Sequence, residues 1–175
     1  GTGKGAGLRS IDPVTEAYLE ENAVLEMDTA QIGGVGHTLR KTKATAAAGA
    51  KLRIRERILT EGEQDARTEF EVELAGEGSG ADIVSRAVAR GKSHQEYTST
   101  IIGNAPCTGH SECDAIIDGE ATVDAAPKLC AHHGDAALIH EAAIGKIAGE
   151  QILKLRTLGL TEQEAEARII EGFLS

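Results

Sequence analysis

Hydrophobic and polar residues alternate along the chain from about residue 37 to about residue 130. The segment 69–74 alternates without exception, and the segment 51–55 places Leu52 and Ile54 between basic residues. A period of two is typical of β-strands that bury one face. We therefore predict a series of half-buried strands over this region.

Turn signals that contain glycine separate these alternating segments. They are Glu61-Gly62, Gly76–Gly80, Arg90-Gly91, Ile102–Asn104 and Asp118-Gly119. Strands then recur roughly every 10–15 residues without a helical run between them, which fits a sandwich, a barrel or a stack of β-helix coils. Aromatic residues make up only 2% of the chain. Because small aliphatic side chains suit the ladders inside stacked coils, we favour a mainly β fold with a β-helix-like core.

The hydrophobic period becomes helical after about residue 142. The first apolar stripe comprises Ile144, Ile147, Ala148, Ile152, Leu155 and Leu158. Gly159 is placed to end this helix, and Thr161–Glu164 has the pattern of a capping box. The second stripe comprises Ala165, Ile169, Ile170 and Phe173. We therefore predict a C-terminal helical hairpin over residues 143–175.

A short N-terminal segment, residues 1–36, precedes the predicted β core, residues 37–142. Residues 1–10 are rich in glycine, and we expect them to be flexible. Asp12-Pro13 resembles the N-cap and the first position of a short helix that would begin at Val14.

Charge and cysteine content narrow the class of protein. The formal net charge is −10, so binding to nucleic acid or to an anionic membrane through bulk electrostatics is not expected. No apolar run approaches the length of a membrane span, and no secretory signal is visible. Three cysteines do not form an even disulfide framework. We expect a cytoplasmic protein with free or ligating thiols.

All three cysteines and four of the six histidines fall between Cys107 and Glu141. The pattern Cys107-x-x-His110-x-x-Cys113 could supply three metal ligands, and Cys130 or His132 could add a fourth for zinc. Two other interpretations stay open. The cysteines could be small apolar fillers within strands, or they could be reactive or cluster-binding thiols. The dipeptide His132-His133, followed by Gly-Asp, indicates a turn.

Four stretches in order resemble the SufB/SufD core family, the scaffold subunits of the SUF iron–sulfur cluster assembly machinery. They are Ile83–Tyr97 with its Gly-Lys-Ser step, Gly109–Ile117 with its Glu-Cys-Asp strand, His140–Ala142, and Gln151–Phe173. The four stretches together, in this order, are more specific to the family than any one of them alone. The resemblance implies a right-handed parallel β-helix followed by helices, in a scaffold that is not an enzyme.

The resemblance also implies a site and partners. It assigns a transient iron–sulfur cluster to Cys113, His140 and Glu141 at a scaffold–scaffold interface, in a homodimer or a paired SufB/SufD-like complex. SufD-type members generally lack that cysteine and glutamate, so the chain is more similar to SufB. Additional candidate ligands outside the motif are Cys107, His110, Cys130 and His132.

A SufC-like ABC ATPase is expected to dock on the C-terminal helices. The residues expected to meet it are Ile147, Gln151, Leu155, Leu158, Ile169 and Phe173. The main alternative is a β-helical protein that binds zinc or serves purely as a structural interaction partner, without cluster chemistry.

Overall fold

The computed structural model describes residues 9–175, so the first eight residues of the glycine-rich segment lie outside the described part. The described chain forms strands and then two helices. The strands are β1 (Ser10–Ile11), β2 (Val14–Leu19), β3 (Val24–Ile32), β4 (His37–Ala46), β5 (Lys51–Thr60), β6 (Asp65–Leu74), β7 (Gly80–Ala89), β8 (His94–Gly103), β9 (Cys107–Ile117), β10 (Thr122–Ala131) and β11 (Ala136–Gly145). The helices are α1 (Gly149–Thr157) and α2 (Glu162–Phe173).

Successive strands alternate between two parallel sheets. The front sheet has the order β1-β4-β6-β8-β10, with β2 also pairing with β4, and the back sheet has the order β11-β9-β7-β5-β3. His37 aligns with Asp65, and Asp65 aligns with His94, so these coils contain 28 and 29 residues. The fold is a parallel β-solenoid followed by two helices, which confirms the predicted mainly β, β-helix-like class.

Each inward-facing residue stacks on the inward-facing residue of the next coil. One such ladder joins Ala44, Val72 and Ile101, which are at most 2% exposed. The two sheets approach closely, and at Gly109 of the back sheet an added Cβ atom would lie 2.9 Å from the Ile101 side chain of the front sheet. The scarcity of aromatic residues therefore follows from the thin interior between the sheets.

The helix predicted after Asp12-Pro13 is wrong. Residues Val14–Leu19 form strand β2, which pairs in parallel with β4. The Asp12 carboxylate accepts a hydrogen bond from the backbone N–H of Leu39 at 3.1 Å instead of capping a helix. Because this segment also alternates, pairing with β4 outweighs the local helix signal.

The C-terminal hairpin is present, but its first helix begins later than the apolar stripe suggested. Ile144 belongs to β11, whose pairing with β9 continues to Gly145, and Ile147 and Ala148 precede α1. The predicted helix end and capping box are confirmed, with φ of +96° at Gly159 and reciprocal hydrogen bonds between Thr161 and Glu164. Neither helix has the length and apolar character needed to cross a bilayer.

Candidate functional site

The adjacent strands β9 and β11 carry most of the candidate ligands, and their alternation sorts these side chains onto two faces. On β9, Ser111 and Cys113 are buried between the sheets, whereas His110 and Glu112 lie on the outer face of the back sheet. On β11, His140 aligns with Ser111 and is partly buried, whereas Glu141 aligns with Glu112 and is exposed. The expected trio is therefore divided, with Cys113 and His140 inside and Glu141 outside.

Cys113 is a buried thiol, only 1% exposed. Burial raises the pKa of this thiol to about 12, and the negative charges of Asp114 and Glu56 raise it further in the same direction. Cys113 is therefore protonated at neutral pH, and a metal that binds it must displace the proton.

His140 presents a ring nitrogen that nothing in the described chain satisfies. Its Nδ1 lies 3.1 Å from the Ser111 hydroxyl, while its buried Nε2 has no hydrogen-bond partner among residues 9–175. Burial lowers the pKa of the imidazole, and the neighbouring His110 adds to this effect. A neutral ring whose Nδ1–H donates to Ser111 would leave the Nε2 lone pair free for a metal.

Ser111 is itself held in place from the front sheet. Its hydroxyl lies 2.9 Å from the Tyr97 hydroxyl and 3.0 Å from the Ser99 hydroxyl. This chain of hydroxyl groups fixes the position of the His140 ring.

The interior imidazole and thiol are close to each other. His140 aligns with Ser111, two residues before Cys113 on the neighbouring strand, so their Cβ atoms are roughly 8 Å apart by strand geometry. A thiolate sulfur and an imidazole nitrogen at this separation can bind iron atoms of one small cluster. The donor set fits the iron–sulfur cargo that the sequence implied.

The cavity beside Cys113 is too small for such a cargo. The internal cavity bordered by Cys113, Glu56 and Tyr97 has a volume of about 10 Å³. That volume is close to the minimum for one water molecule. A ligand as large as a cluster can reach Cys113 only if the terminal coil formed by β10 and β11 moves away from β9, or if the Cys113 side chain turns out of the interior.

Glu56 is a buried carboxyl group that the sequence analysis missed. It is 2% exposed, and its oxygens accept hydrogen bonds from Thr68 at 3.1 Å and Ser85 at 2.9 Å, with Arg40 Nε 3.6 Å away. Burial nevertheless dominates and raises the pKa of Glu56 to about 7. Ser85 aligns with Cys113 on the next strand, so Glu56 lies one coil further along the same interior ladder.

The outer face of the back sheet holds a second group of polar side chains. His110 Nε2 lies 3.4 Å from the Glu141 carboxylate, and His110 Nδ1 lies 2.8 Å from Asp82. Asp82 also accepts a hydrogen bond from Arg55 at 2.6 Å. The pKa of His110 is raised chiefly by its hydrogen bond to Asp82, against the opposing effect of burial.

The remaining candidate ligands lie apart from this region. Cys107 is buried on the same face as Cys113, but six residues along a strand separate them by roughly 20 Å. Cys130 aligns with Ile102 in the front sheet, and His132 Nδ1 lies 2.9 Å from Asn104 in the turn after β10. The structure does not bring Cys107, His110 and Cys113 together as a zinc site. The turn predicted at His132-His133 is confirmed.

The residues expected to meet an ATPase differ in exposure. Gln151 and Leu158 are exposed, and Leu158 has 72% of its surface in solvent. The other four, Ile147, Leu155, Ile169 and Phe173, are partly buried. Helix α1 has no buried residue, so one of its faces is available to a partner.

Known proteins match the chain over most of its length. The family profile described as "SUF system FeS cluster assembly, SufBD core domain" matches residues 16–173. An iron–sulfur cluster assembly SufBD family protein of Methanothermobacter thermautotrophicus is 39% identical over 104 residues, covering 58% of this chain and 25% of the relative. One from Archaeoglobus fulgidus is 42% identical over 108 residues, covering 58% and 28%.

A SufBD family protein of Methanocaldococcus jannaschii matches more of the chain. It is 29% identical over 166 residues, which cover 94% of this chain and 52% of the relative. The chain thus spans about half or less of the length of these relatives. Since the matched profile includes β9, β11 and both helices, the chain belongs to the SufBD core domain family of the SUF iron–sulfur cluster assembly system.

Proposed function

We propose that this chain is a SufB-like scaffold that holds a nascent iron–sulfur cluster through Cys113 and His140, with Glu141 as a third ligand at the edge of the sheet. The cluster is cargo, which the scaffold binds and then releases. One thiolate, one imidazole and one carboxylate hold iron less firmly than four thiolates would, and exchangeable ligands suit a carrier that must release its cluster.

The observation that carries this proposal is the unsatisfied Nε2 of His140, whose position on β11 is diagonal to that of Cys113 on β9. A buried nitrogen without a partner normally destabilises a protein by about 1–3 kcal/mol, so its presence calls for an explanation. A bound iron atom would satisfy the nitrogen and would also displace the proton from the buried thiol.

Glu141 can join these ligands only at the end of the solenoid, because it lies on the opposite face of β11. Strand β11 is the last strand of the back sheet, and its outer edge has no partner strand in residues 9–175. Ile139 and Ile144 on this strand are 57% and 41% exposed. We infer that a second scaffold subunit packs on this terminal coil, and that opening the coil exposes Cys113 to the cluster.

A SufC-like ATPase is the proposed partner of the helical hairpin. Leu153 in helix α1 is 61% exposed and Leu158 at its C-cap is 72% exposed, which favours a protein surface as the neighbour of this helix. ATP-driven movement of the hairpin would then be transmitted to β11, which directly precedes α1. A Leu158→Glu variant should lose capture of the ATPase, while Tyr18→Glu, at an equally exposed position far from the hairpin, should retain it. Equal capture by both variants would refute this docking surface.

Anaerobic reconstitution with ferrous iron and sulfide tests the cluster site. The protein should develop the broad visible absorption of an iron–sulfur cluster, Cys113→Ser should lose most of it, and Cys130→Ser should keep it. Full absorption in Cys113→Ser would contradict the proposal. Stoichiometric zinc binding without any cluster would instead support the structural alternative.

A further inference from the structure

A group of potential metal ligands lies outside the solenoid, on the face of the back sheet opposite Cys113. His110, Glu112 and Glu141 each offer one ligand atom, and these three atoms all lie within 4.8 Å of one another. Metal–ligand distances near 2.1 Å place neighbouring ligand atoms roughly 3 Å apart, so small side-chain rotations would close the group around an ion.

We propose that His110, Glu112 and Glu141 form a binding site for a single divalent transition-metal ion, with Asp82 as the positioning residue. The site shares Glu141 with the proposed cluster ligands but does not include the interior Cys113 and His140 pair. Its assignment to ferrous iron rests on the proposed function, whereas the binding of a divalent ion of this class does not.

The orientation of His110 supports a metal site rather than a chance cluster of charges. Asp82 contacts His110 Nδ1 at 2.8 Å and is itself held by Arg55 at 2.6 Å. This arrangement directs Nε2 toward Glu141, which lies 3.4 Å away. Metal-binding histidines characteristically present one ring nitrogen to the ion while a carboxylate holds the other.

The surrounding charge also favours a cation. Asp114 follows Glu112 by two residues on β9, so its carboxylate lies on the same outer face of the sheet. Carboxylates crowded in this way repel one another, and a divalent ion that binds between them relieves the repulsion. The His110 and Glu141 side chains are 32% and 67% exposed, so an ion can enter from solvent without opening the solenoid.

One imidazole nitrogen and two carboxylate oxygens suit ions of intermediate hardness, such as ferrous iron, manganese, cobalt or zinc. Because Glu141 and His140 are consecutive on edge strand β11, an ion held outside and the interior ligands lie on opposite faces of the same strand. A scaffold must acquire iron before a cluster can form, and the outer site would bind the incoming ion first.

Anaerobic titration with cobalt(II) tests this site on the full chain, because its absorption reports both occupancy and ligand type. We use a Cys113→Ser background so that the interior thiol cannot contribute. The expected result is binding of one cobalt ion with a weak visible spectrum and no sulfur-to-cobalt charge-transfer band. His110→Gln should weaken binding at least tenfold, and Asp82→Asn should weaken it about tenfold through loss of ring positioning.

His94→Gln is the matched control. The His94 side chain is also 32% exposed and also lies beside a carboxylate, Asp124, but it belongs to no group of three potential ligands within residues 9–175. Its substitution should leave cobalt binding unchanged. Far-ultraviolet circular dichroism will show that each variant keeps the solenoid.

Two outcomes would overturn the inference: equal cobalt binding in His110→Gln and its parent, or loss of binding caused by Cys113→Ser itself. The cobalt titration and the cluster reconstitution can fail independently of each other. Cluster reconstitution without an outer cobalt site refutes only the inference, whereas an outer site in a protein that forms no cluster refutes only the scaffold assignment.

Discussion

Replacing Glu56 with glutamine should remove a large part of the pH dependence of the stability of this protein. The carboxyl group is buried, and its pKa is raised from an ordinary 4.5 to about 7, mainly by burial. The folded protein therefore binds one more proton than the unfolded chain between these two values. Stability from this group is complete below pH 4.5 and is lost as the pH rises to about 7.

The magnitude follows from the size of the shift. A difference of about 2.5 pH units at roughly 1.4 kcal/mol per unit gives about 3 kcal/mol. Glutamine has nearly the same shape and cannot ionise. Its amide can donate to one hydroxyl and its carbonyl can accept from the other, so the contacts with Thr68 and Ser85 are preserved.

Urea unfolding of the parent protein and Glu56→Gln, at about pH 5 and about pH 8, measures this effect. Other groups titrate equally in both proteins, so the difference between the two isolates Glu56. Between these pH values the free energy of unfolding should shift by about 2–3 kcal/mol in favour of the variant. Parallel pH profiles for the two proteins would refute the reasoning, because they would mean that Glu56 titrates in the folded state as it does in water.

Three further predictions follow from the packing. Ile54 is fully buried in the interior, so Ile54→Ala should lower the free energy of unfolding, measured in urea, by about 2–5 kcal/mol. A loss below about 0.5 kcal/mol, the least that the smaller change Ile→Val typically causes, would contradict the close packing. In the native protein, iodoacetamide should label the partly exposed Cys130 well before Cys113, as measured by mass spectrometry of peptides; the reverse order would show that the interior thiol is accessible. Thr161→Ala removes the hydroxyl that accepts a hydrogen bond from the Glu164 N–H, while its backbone N–H can still donate to the Glu164 carboxylate. The variant should cost about 1 kcal/mol, seen as faster amide hydrogen exchange in α2 with unchanged exchange in β7.

The solenoid could be predicted from the sequence because its strands keep strict alternation and its turns carry glycine. The repeat itself was not visible. The interior ladder that contains Leu52 continues through Ala81 to Gly109. Aligned positions are therefore all small or apolar, but they are not the same residue type, so no sequence repeat can be recognised. The local signals of strand β2 predict a helix, because its partner strand β4 lies 27 residues away and cannot be read from local sequence.

For the candidate site too, local sequence patterns predict which side chains are buried, but not which side chains of different strands lie close together. Alternation alone places Glu56 inward between Ile54 and Ile58, so its burial was open to inference from the sequence. The approach of His110 to Glu141 depends on the register of β9 and β11. Motif spacing contains no such information, and the family resemblance groups Cys113 with Glu141 although adjacent-strand geometry puts them on opposite faces of the sheet.

Pulsed electron paramagnetic resonance of the reduced, reconstituted cluster tests the central claim most directly. In protein labelled with ¹⁵N-histidine, the account predicts hyperfine coupling from one histidine nitrogen. This coupling should vanish in His140→Gln and persist in His132→Gln. A cluster that forms on the protein without histidine coupling, or with coupling that survives in His140→Gln, would contradict the claim that the free Nε2 of His140 holds the cluster beside Cys113.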